Sequence, residues 1–354
     1  MDFETVTAEH LGIPTAIPLP KRKDWRLGFV GFGRFAGRHV NAYSLMNWRV
    51  TAAAAPSAAS RERAKKAGIG RVYADFQDLV SDDEVDVIVI LTQPTIREGI
   101  LNAAAKAGKP VLTEKPLALD MGECQRMVAT AEQARIPFAV SENYRWAGAN
   151  FFAHHLIRKG LIGKPFLASI EIYGTQDVDL RDRPFYIQCT DFLTVQWNTH
   201  LADLLRYLTG QEARRVFAVT RRMEGQNFVS DNLFTAIVDF GQGLLGYILH
   251  TELVRSSMTG RHCRVDGDQG TIMFDLNSDR LSIDSRQLGG GEKVLDLAPL
   301  RLPPSQCGSM GDLLISIEEQ REPLVSARRY LPVMRQVLSE QASAQAGGQW
   351  VALE

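Results

Sequence analysis

Residues 27–37 decide the fold of the amino-terminal part of the chain; they read Leu-Gly-Phe-Val-Gly-Phe-Gly-Arg-Phe-Ala-Gly. The apolar start predicts a buried strand, and a helix is expected directly after the glycines. Gly31, Gly33 and Ala36 fit the pattern G-x-G-x-x-G/A, which turns tightly, lets the backbone approach a pyrophosphate and packs the helix close to the strand. The free N–H groups at the start of such a helix attract phosphates. Four residues are therefore predicted to contact a dinucleotide: Gly31, Gly33, Arg34 and Phe35.

The composition is that of an ordinary globular protein. The chain has 354 residues, of which 45% are hydrophobic and 23% charged, and this length predicts two domains. With 40 basic and 41 acidic residues the net charge is −1, so no bulk field favours nucleic acid or an anionic membrane as a partner. No apolar run is long enough to span a membrane.

The cysteines and the amino terminus point to a reducing compartment. Cys124, Cys189, Cys263 and Cys307 are far apart and show no C-x-x-C spacing, so neither a metal site nor a disulfide framework is predicted. Residues 1–24 carry acidic residues and several prolines and lack the apolar core of a secretory signal. We expect a cytoplasmic protein without a bound metal.

Strands and helices alternate up to about residue 141, which predicts a parallel sheet with right-handed crossovers. Beyond it, helices are expected at 149–159, 191–208 and 326–344, with a loop at 174–190. Extended runs linked by turns predict a mostly antiparallel sheet at 166–173, 213–220, 232–239, 244–252, 261–265 and 271–274. The fold class is therefore α/β. Its predicted parts are an arm (1–24), a Rossmann domain (25–141) and a domain with a large open sheet (142–354).

The open sheet bears on assembly. Helices on one face of a sheet leave the other face to be covered, often by a second subunit. We therefore expect a homodimer or homotetramer formed through this sheet.

The end of the second strand normally decides which dinucleotide binds, because an acidic residue there holds the ribose 2′-hydroxyl of NAD. The expected position holds Ala55, which neither binds a diol nor repels a phosphate. Ser57 and Arg61 follow, and Arg61 can meet a 2′-phosphate, which favours NADP over NAD. The alternative is that Arg61 faces water.

Polar residues end the later strands, where ligands of parallel sheets bind. Lys115 follows Glu114 at the mouth of one strand, and an ammonium there can hydrogen-bond a substrate hydroxyl and stabilise an alkoxide. A surface ion pair with Glu114 is the alternative. The residues predicted to contact the cofactor at these strand ends are Thr92, Gln93, Pro94, Glu114, Lys115 and Asn143.

A polar helix supplies the second candidate group. Gln196 and His200 are four residues apart, so they share a helix face, with Asp203 one turn further on. A neutral imidazole at His200 can take a hydroxyl proton, because its pKa lies near working pH. A structural histidine is the alternative. We predict Lys115, His200 and Gln196 as catalytic, and the following residues as substrate-binding: Tyr144, Arg145, Trp197 and Asn198.

Several of these motifs occur together and in a familiar order. Gly31-x-Gly33-x-x-Ala36, Thr92-Gln93-Pro94, Glu114-Lys115-Pro116, residues 142–145 (Glu-Asn-Tyr-Arg) and the helix with His200 resemble the Gfo/Idh/MocA oxidoreductases, the glucose–fructose oxidoreductase and inositol dehydrogenase family. The resemblance covers about residues 25–350. It implies reversible oxidation of a sugar or cyclitol hydroxyl by NAD or NADP. It makes Lys115 and His200 the catalytic pair.

Two residues depart from the family pattern. The family usually has an aspartate four residues before the histidine, where this chain has Gln196. Glutamine orients a hydroxyl but accepts no proton, so any base role passes to His200 or Lys115. Family members often have histidine where Arg97 stands, and Arg97 is expected either to meet an anionic group or to lie exposed on its helix.

Two other functions stay open. The glutamine at position 196 is compatible with a non-catalytic ligand sensor or scaffold that keeps the nucleotide site. Nicotinamide-assisted glycoside cleavage, which also occurs in the family, predicts sugar release without net formation of reduced cofactor.

Overall fold

The computed structural model describes residues 4–33, 35–276 and 278–353. Its contacts divide the chain into two compact units. The Rossmann unit consists of Ile17–Trp146 and Pro303–Met334. The sheet unit consists of the described residues of Met1–Ala16, Ala147–Leu302 and Arg335–Glu354.

Strands and helices are numbered here in chain order. The strands are β1 Glu4–Val6, β2 Arg26–Val30, β3 Arg49–Ala54, β4 Arg71–Tyr73, β5 Val87–Ile90, β6 Val111–Thr113, β7 Phe138–Val140, β8 Pro165–Tyr173, β9 Arg215–Arg221, β10 Leu233–Gly241, β11 Leu244–Thr251, β12 Gly260–Gly267, β13 Gly270–Asp275, β14 Arg280–Ser285, β15 Glu292–Asp296 and β16 Val351–Ala352. The α-helices are α1 Ala36–Ser44, α2 Ala58–Lys66, α3 Phe76–Val80, α4 Arg97–Lys106, α5 Met121–Ala134, α6 Gly148–Arg158, α7 Gln176–Asp179, α8 Pro184–Ile187, α9 Asn198–Thr209, α10 Ser305–Glu319 and α11 Ala327–Gln345. A π-helical segment, Phe192–Trp197, precedes α9.

The Rossmann unit is built on a parallel sheet with the strand order β4-β3-β2-β5-β6-β7. The order reverses between β2 and β5, which is where open α/β sheets bind their ligands. Every residue of β5, β6 and β7 is buried, as expected for a sheet covered by helices. The predicted parallel sheet is confirmed.

Helix α10 completes the core of this unit, and the sequence patterns did not predict it. Cys307, Met310 and Leu313 are fully buried in one cluster with Tyr43 and Trp48. These contacts explain why Pro303–Met334 belongs to the Rossmann unit, although it follows the sheet unit in sequence. The predicted domain limits, 25–141 and 142–354, place this segment with the later domain and stay a prediction.

The sheet unit has a large sheet with the order β1-β15-β14-β13-β12-β8-β11-β10-β9-β16. Its pairs are antiparallel except β8 with β11 and β1 with β15. This confirms the predicted mostly antiparallel sheet. The sequence patterns did not predict β14 and β15, nor that Glu4–Val6 of the arm joins the sheet. In the part of the chain that the structure describes, no helix is both long and apolar enough to cross a bilayer.

Candidate active site

The glycine turn is tight at Gly31 and open at Gly33. Gly31 has a φ of 93°, and a Cβ there would lie 3.0 Å from the carbonyl oxygen of Leu91 and from Cγ2 of Thr92. A Cβ on Gly33 would meet nothing within 4 Å, so the backbone is open on that side. Ala36 is fully buried, which lets α1 lie close to the sheet. The turn therefore fits the G-x-G-x-x-A role predicted for it.

The start of α1 suits an anion. Phe35 precedes the helix and forms no side-chain cap, and the first turn contains no acidic residue. The N–H groups of Ala36 and Arg38 donate to the carbonyl oxygens of Gly33 and Phe35 at 3.3 and 3.0 Å, and the positive end of the helix dipole favours a phosphate at this end of α1. Phe35 itself is 48% exposed. Arg34, also predicted to contact the cofactor, lies outside the described residues.

The end of β3 carries the residues predicted to choose the dinucleotide. Ala55 is buried, and Ser57 caps α2 by accepting a hydrogen bond from the Ser60 amide at 3.2 Å. Arg61 donates through Nη1 to the carbonyl oxygens of Ala55 and Pro56 at 2.9 and 2.6 Å. Arg61 therefore lies against the end of β3 rather than facing only water.

A second arginine of α2 reaches the glycine turn, and sequence reasoning missed it. Arg63 donates to the carbonyl oxygen of Phe32 through Nε and Nη2, both at 3.3 Å, and to Oγ of Ser60 at 2.6 Å. The only sequence signal for this contact is the position of Arg63, six residues after Ser57. The two guanidinium groups of α2 thus contact the end of β3, through Arg61, and the glycine turn, through Arg63.

Arg97 links the ends of β5 and β6 and is only 3% exposed. It donates to the carbonyl oxygen of Thr92 at 3.0 and 2.7 Å and to those of Glu114 and Pro116. Burial lowers the pKa of Arg97 to about 10, while nearby Glu114 favours its charged form. Neither sequence expectation holds: Arg97 is neither exposed nor directed at an external anion, because backbone carbonyls take its donors.

Glu114 is held by a buried imidazole. Nε2 of His39 lies 2.9 Å from Oε1 of Glu114, and Nδ1 of His39 lies 3.0 Å from the Tyr43 hydroxyl. Burial alone would raise the pKa of Glu114, but the His39 hydrogen bond and the charges of Lys115 and Arg97 outweigh it and lower the pKa to about 2. A fixed negative charge therefore stands beside Lys115.

Lys115 is half-buried and follows β6, and its peptide bond to Pro116 is cis. The neighbouring strand end offers a further polar group, because Oγ1 of Thr92 is buried and has no hydrogen-bond partner among the described residues. Gln93 is exposed and Pro94 half-buried beside it. The ends of β2, β5 and β6 thus bring most of the predicted cofactor residues to one edge of the sheet.

The segment after β7 is fastened by α10 and α11. Nδ2 of Asn143 donates to Oγ of Ser305 at 2.7 Å, and the Tyr330 hydroxyl donates to buried Glu142 at 3.0 Å. Arg145 is buried and donates to the carbonyl oxygen of residue 324 at 3.4 Å, whereas Tyr144 is half-buried. These long-range contacts fix the backbone in which Asn143 and Tyr144 stand.

In the sheet unit, the predicted helix 191–208 divides into the π-helical segment and α9. Gln196 and Trp197 end the π-helical segment and are half-buried, and His200 lies in the first turn of α9 with 7% exposure. Nε2 of Gln196 donates to Asp191 at 3.4 Å. The Trp197 and His200 rings meet edge to face with centroids 5.9 Å apart. The aromatic ring and the imidazole predicted to act on substrate are therefore neighbours.

Asn198, predicted to bind substrate, instead contacts α11. It is fully buried and donates to Glu340 of α11, whose other oxygen accepts from Gln336 at 2.9 Å. Burial raises the pKa of Glu340 to about 7, and the two amide hydrogen bonds only partly offset this effect. The structure places the Asn198 side chain in the interior of the sheet unit, where it fastens α9 to α11.

Two family profiles match the chain, in the same order as the two sheets. Residues 25–142 match the profile described as "Oxidoreductase family, NAD-binding Rossmann fold". Residues 152–273 match the "GFO/IDH/MocA C-terminal domain". The protein is thus an oxidoreductase with an NAD-binding Rossmann domain. It belongs to the Gfo/Idh/MocA family, as the motifs predict.

Curated relatives and solved structures agree with this assignment. A D-apiose dehydrogenase of Paraburkholderia graminis is 27% identical over 288 residues, covering 78% of this chain and 73% of the relative. A myo-inositol 2-dehydrogenase of Thermotoga maritima is 25% identical over 314 residues, covering 85% and 90%. An Agrobacterium radiobacter oxidoreductase, solved with NAD+, L-tartaric acid and magnesium, matches with a TM-score of 0.84 at 22% identity, covering 93% of this chain and 98% of that one. This structural likeness shows the shared fold.

Proposed function

We propose that the protein is an NAD(P)-dependent dehydrogenase or reductase acting on a secondary hydroxyl, or the matching ketone, of a sugar, cyclitol or similar polyol. The observation that carries the proposal is the open glycine turn at the start of α1, with Lys115 and Glu114 at a strand end of the same sheet. The named dehydrogenases among the relatives support the substrate class.

On the cofactor side, Gly31, Gly33 and the N–H groups of α1 are the groups proposed to hold the pyrophosphate. A nicotinamide held there would supply hydride transfer to or from the substrate carbon. Lys115 is proposed to hydrogen-bond the substrate hydroxyl and stabilise the developing negative charge on its oxygen. Glu114, kept ionised by its surroundings, holds the ammonium in place through charge attraction.

On the substrate side, His200 is proposed to take the hydroxyl proton during oxidation and return it during reduction. Gln196 then orients a hydroxyl without accepting a proton. Trp197, with Tyr144 and Arg145, is proposed to contact the polyol.

NADP is the proposed cofactor, with NAD as the alternative. The support is the buried Ala55 at the end of β3, together with Ser57 and the guanidinium groups of Arg61 and Arg63 beside it. Cationic donors suit a 2′-phosphate, whereas a diol is usually held by a carboxylate.

A homodimer or homotetramer is proposed through the face of the large sheet that its helices leave uncovered. Leu245, Met273 and Phe166 are 46%, 48% and 51% exposed, and exposed apolar patches mark interaction surfaces. Leu245→Asp should shift the molar mass measured by light scattering towards that of the monomer.

The test is a fluorescence titration of nucleotide-stripped protein with NADPH and with NADH, followed by a polyol screen with the preferred cofactor. We expect NADPH to bind more tightly, and one or more polyols to be oxidised with stoichiometric formation of reduced cofactor. Binding of neither nucleotide would contradict the proposal. Nucleotide binding without turnover of any polyol in the screen would favour the alternative of a non-catalytic ligand sensor, which the glutamine at position 196 supports.

A further inference from the structure

Arg261 of β12 lies on the interior face of the large sheet, below α9, the helix that carries His200. The register pairs His250 of β11 with Ile172 of β8, and Ile172 with Arg261 of β12. Side chains alternate along a strand, so Arg261 shares its face with Cys263, which is 1% exposed. Arg261, Ile172 and His250 thus form one row across three adjacent strands.

Trp197 covers this row. The Arg261 guanidinium carbon lies 5.2 Å from the centroid of the Trp197 ring, within the range of a cation–π contact. The His250 ring meets the same indole at 5.3 Å, and the His200 ring meets it at 5.9 Å. Arg261 is therefore held by the aromatic ring that also touches the proposed proton acceptor.

The charge of Arg261 is not balanced locally. Glu252, two residues after His250, is fully buried and engaged by His250 at 2.9 Å and by the Gln176 amide groups at 3.0 Å. Asp177 is taken up by Arg255 at 2.6 Å. Within residues 4–33, 35–276 and 278–353, the Arg261 guanidinium has neither an ion-pair partner nor a hydrogen-bond acceptor, and the residue is only partly buried.

A guanidinium in this state is suited to one kind of ligand group. Its planar fork matches the two oxygens of a carboxylate, and stacking on an aromatic ring leaves the N–H edge available. A single fork is matched by a single carboxylate, and Arg255, six residues before Arg261 in the chain, is already committed to Asp177.

We propose that Arg261 binds a carboxylate of the substrate, so that the enzyme acts on a polyhydroxy acid, a sugar acid, rather than on a neutral polyol. This inference rests on the proposed function, because it adds the charge of the substrate to it. Trp197 keeps the guanidinium oriented, and the His200 ring contacts the same indole edge to face.

The test compares the binding of D-gluconate with that of D-glucitol, a neutral polyol of the same chain length, by isothermal titration. It is run on the full-length protein, both nucleotide-free and loaded with the preferred reduced nucleotide. We expect gluconate to bind about tenfold to a hundredfold more tightly, as a charge-assisted hydrogen-bonded pair implies. Arg261→Gln should remove the preference, and Arg261→Lys should retain part of it.

Arg280→Gln serves as the matched control, because Arg280 lies on β14 of the same sheet with a 71% exposed side chain and should leave the preference intact. Thermal unfolding of each variant checks that the fold is kept. Equal affinity for the two ligands, binding of neither, or an undiminished preference in a folded Arg261→Gln protein would overturn the inference. Absence of nucleotide binding is a separate result, which contradicts the proposed function while the nucleotide-free titration still tests Arg261.

Discussion

Two glutamates, half-buried Glu114 in one unit and fully buried Glu340 in the other, differ in the direction of their pKa shifts. Burial raises the pKa of both, but at Glu114 an imidazole and two cations reverse the effect, and the pKa falls to about 2. At Glu340 the neighbours are two neutral side-chain amides, and the pKa stays raised, at about 7. Charged neighbours at Glu114, and their absence from the hydrogen-bond partners of Glu340, therefore account for the opposite pKa shifts.

The difference fits the positions of the two residues. Glu114 adjoins Lys115, where its negative charge attracts the ammonium that we propose as catalytic. Glu340 hydrogen-bonds Asn198 below α9, where its contribution is to packing. The variants that follow change Glu114, Glu340 or the residues around Glu114.

The largest effect is expected for Lys115→Ala, which removes the proposed hydroxyl ligand and one of the cations that keep Glu114 ionised. Turnover of a polyol substrate should fall by about 10³-fold, or about 4 kcal/mol, with little change in melting temperature. Steady-state kinetics measure this loss. Lys106→Ala, at an exposed position of α4, is the control, and activity within twofold of the wild type in the Lys115 variant would remove Lys115 from the mechanism.

Arg97→Met should have the next largest effect, on stability. It leaves the buried carbonyl oxygens of Thr92, Glu114 and Pro116 without their guanidinium donors, so we expect a loss of about 3 kcal/mol in the free energy of unfolding. Urea denaturation measures it. Arg126→Met is the matched control. Arg126 of α5 is 60% exposed and pairs with Glu98, which follows Arg97 in α4. Its replacement should cost under about 1 kcal/mol of unfolding free energy. Equal losses in the two variants would show that the carbonyl contacts do not matter.

The two glutamates themselves give a contrast in pH dependence. The raised pKa of Glu340 means that the native state binds more protons than the unfolded state between about pH 4.5 and 7, so stability falls as pH rises through that range. Glu340→Gln should match the wild type near pH 5 and become relatively more stable by about 2 kcal/mol near pH 8.

Glu114→Gln should behave differently. The lowered pKa of Glu114 contributes stability that is complete above about pH 4.5 and is lost only as pH falls towards 2. Its variant should therefore be less stable by a similar amount, about 2 kcal/mol, at every pH from 5 to 8. Chemical denaturation across that range checks both variants, and a flat difference for Glu340→Gln would refute the assignment of its pKa.

The same residues show what sequence can and cannot predict here. The glycine turn was predictable because its function depends on a few consecutive residues and their backbone angles. The partners of Arg97 were not, because they are backbone carbonyls from two strand ends, up to 19 residues away. Asn198 was assigned to substrate for its place beside His200, yet its partner is 142 residues distant.

The elements that sequence patterns missed have the same cause. The strand Glu4–Val6 exists by pairing with β15 at the far end of the chain, and α10 is buried on nearly every side in its first three turns. A helix without a polar face shows no amphipathic period, so neither element has a local signature.

The smallest effect is expected at Tyr43, which contacts His39, the hydrogen-bond partner of Glu114. Ionised Glu114 can only accept, so Nε2 of His39 donates to it, while Nδ1 of His39 and the Tyr43 hydroxyl share a hydrogen bond. Tyr43→Phe leaves that buried nitrogen without its partner and should cost about 1 kcal/mol of unfolding free energy. Tyr73→Phe, whose hydroxyl meets Asp82 at a half-buried position, should cost clearly less. Urea denaturation compares the two, and an equal or smaller cost at Tyr43 would mean that Glu114 and His39 are held without it.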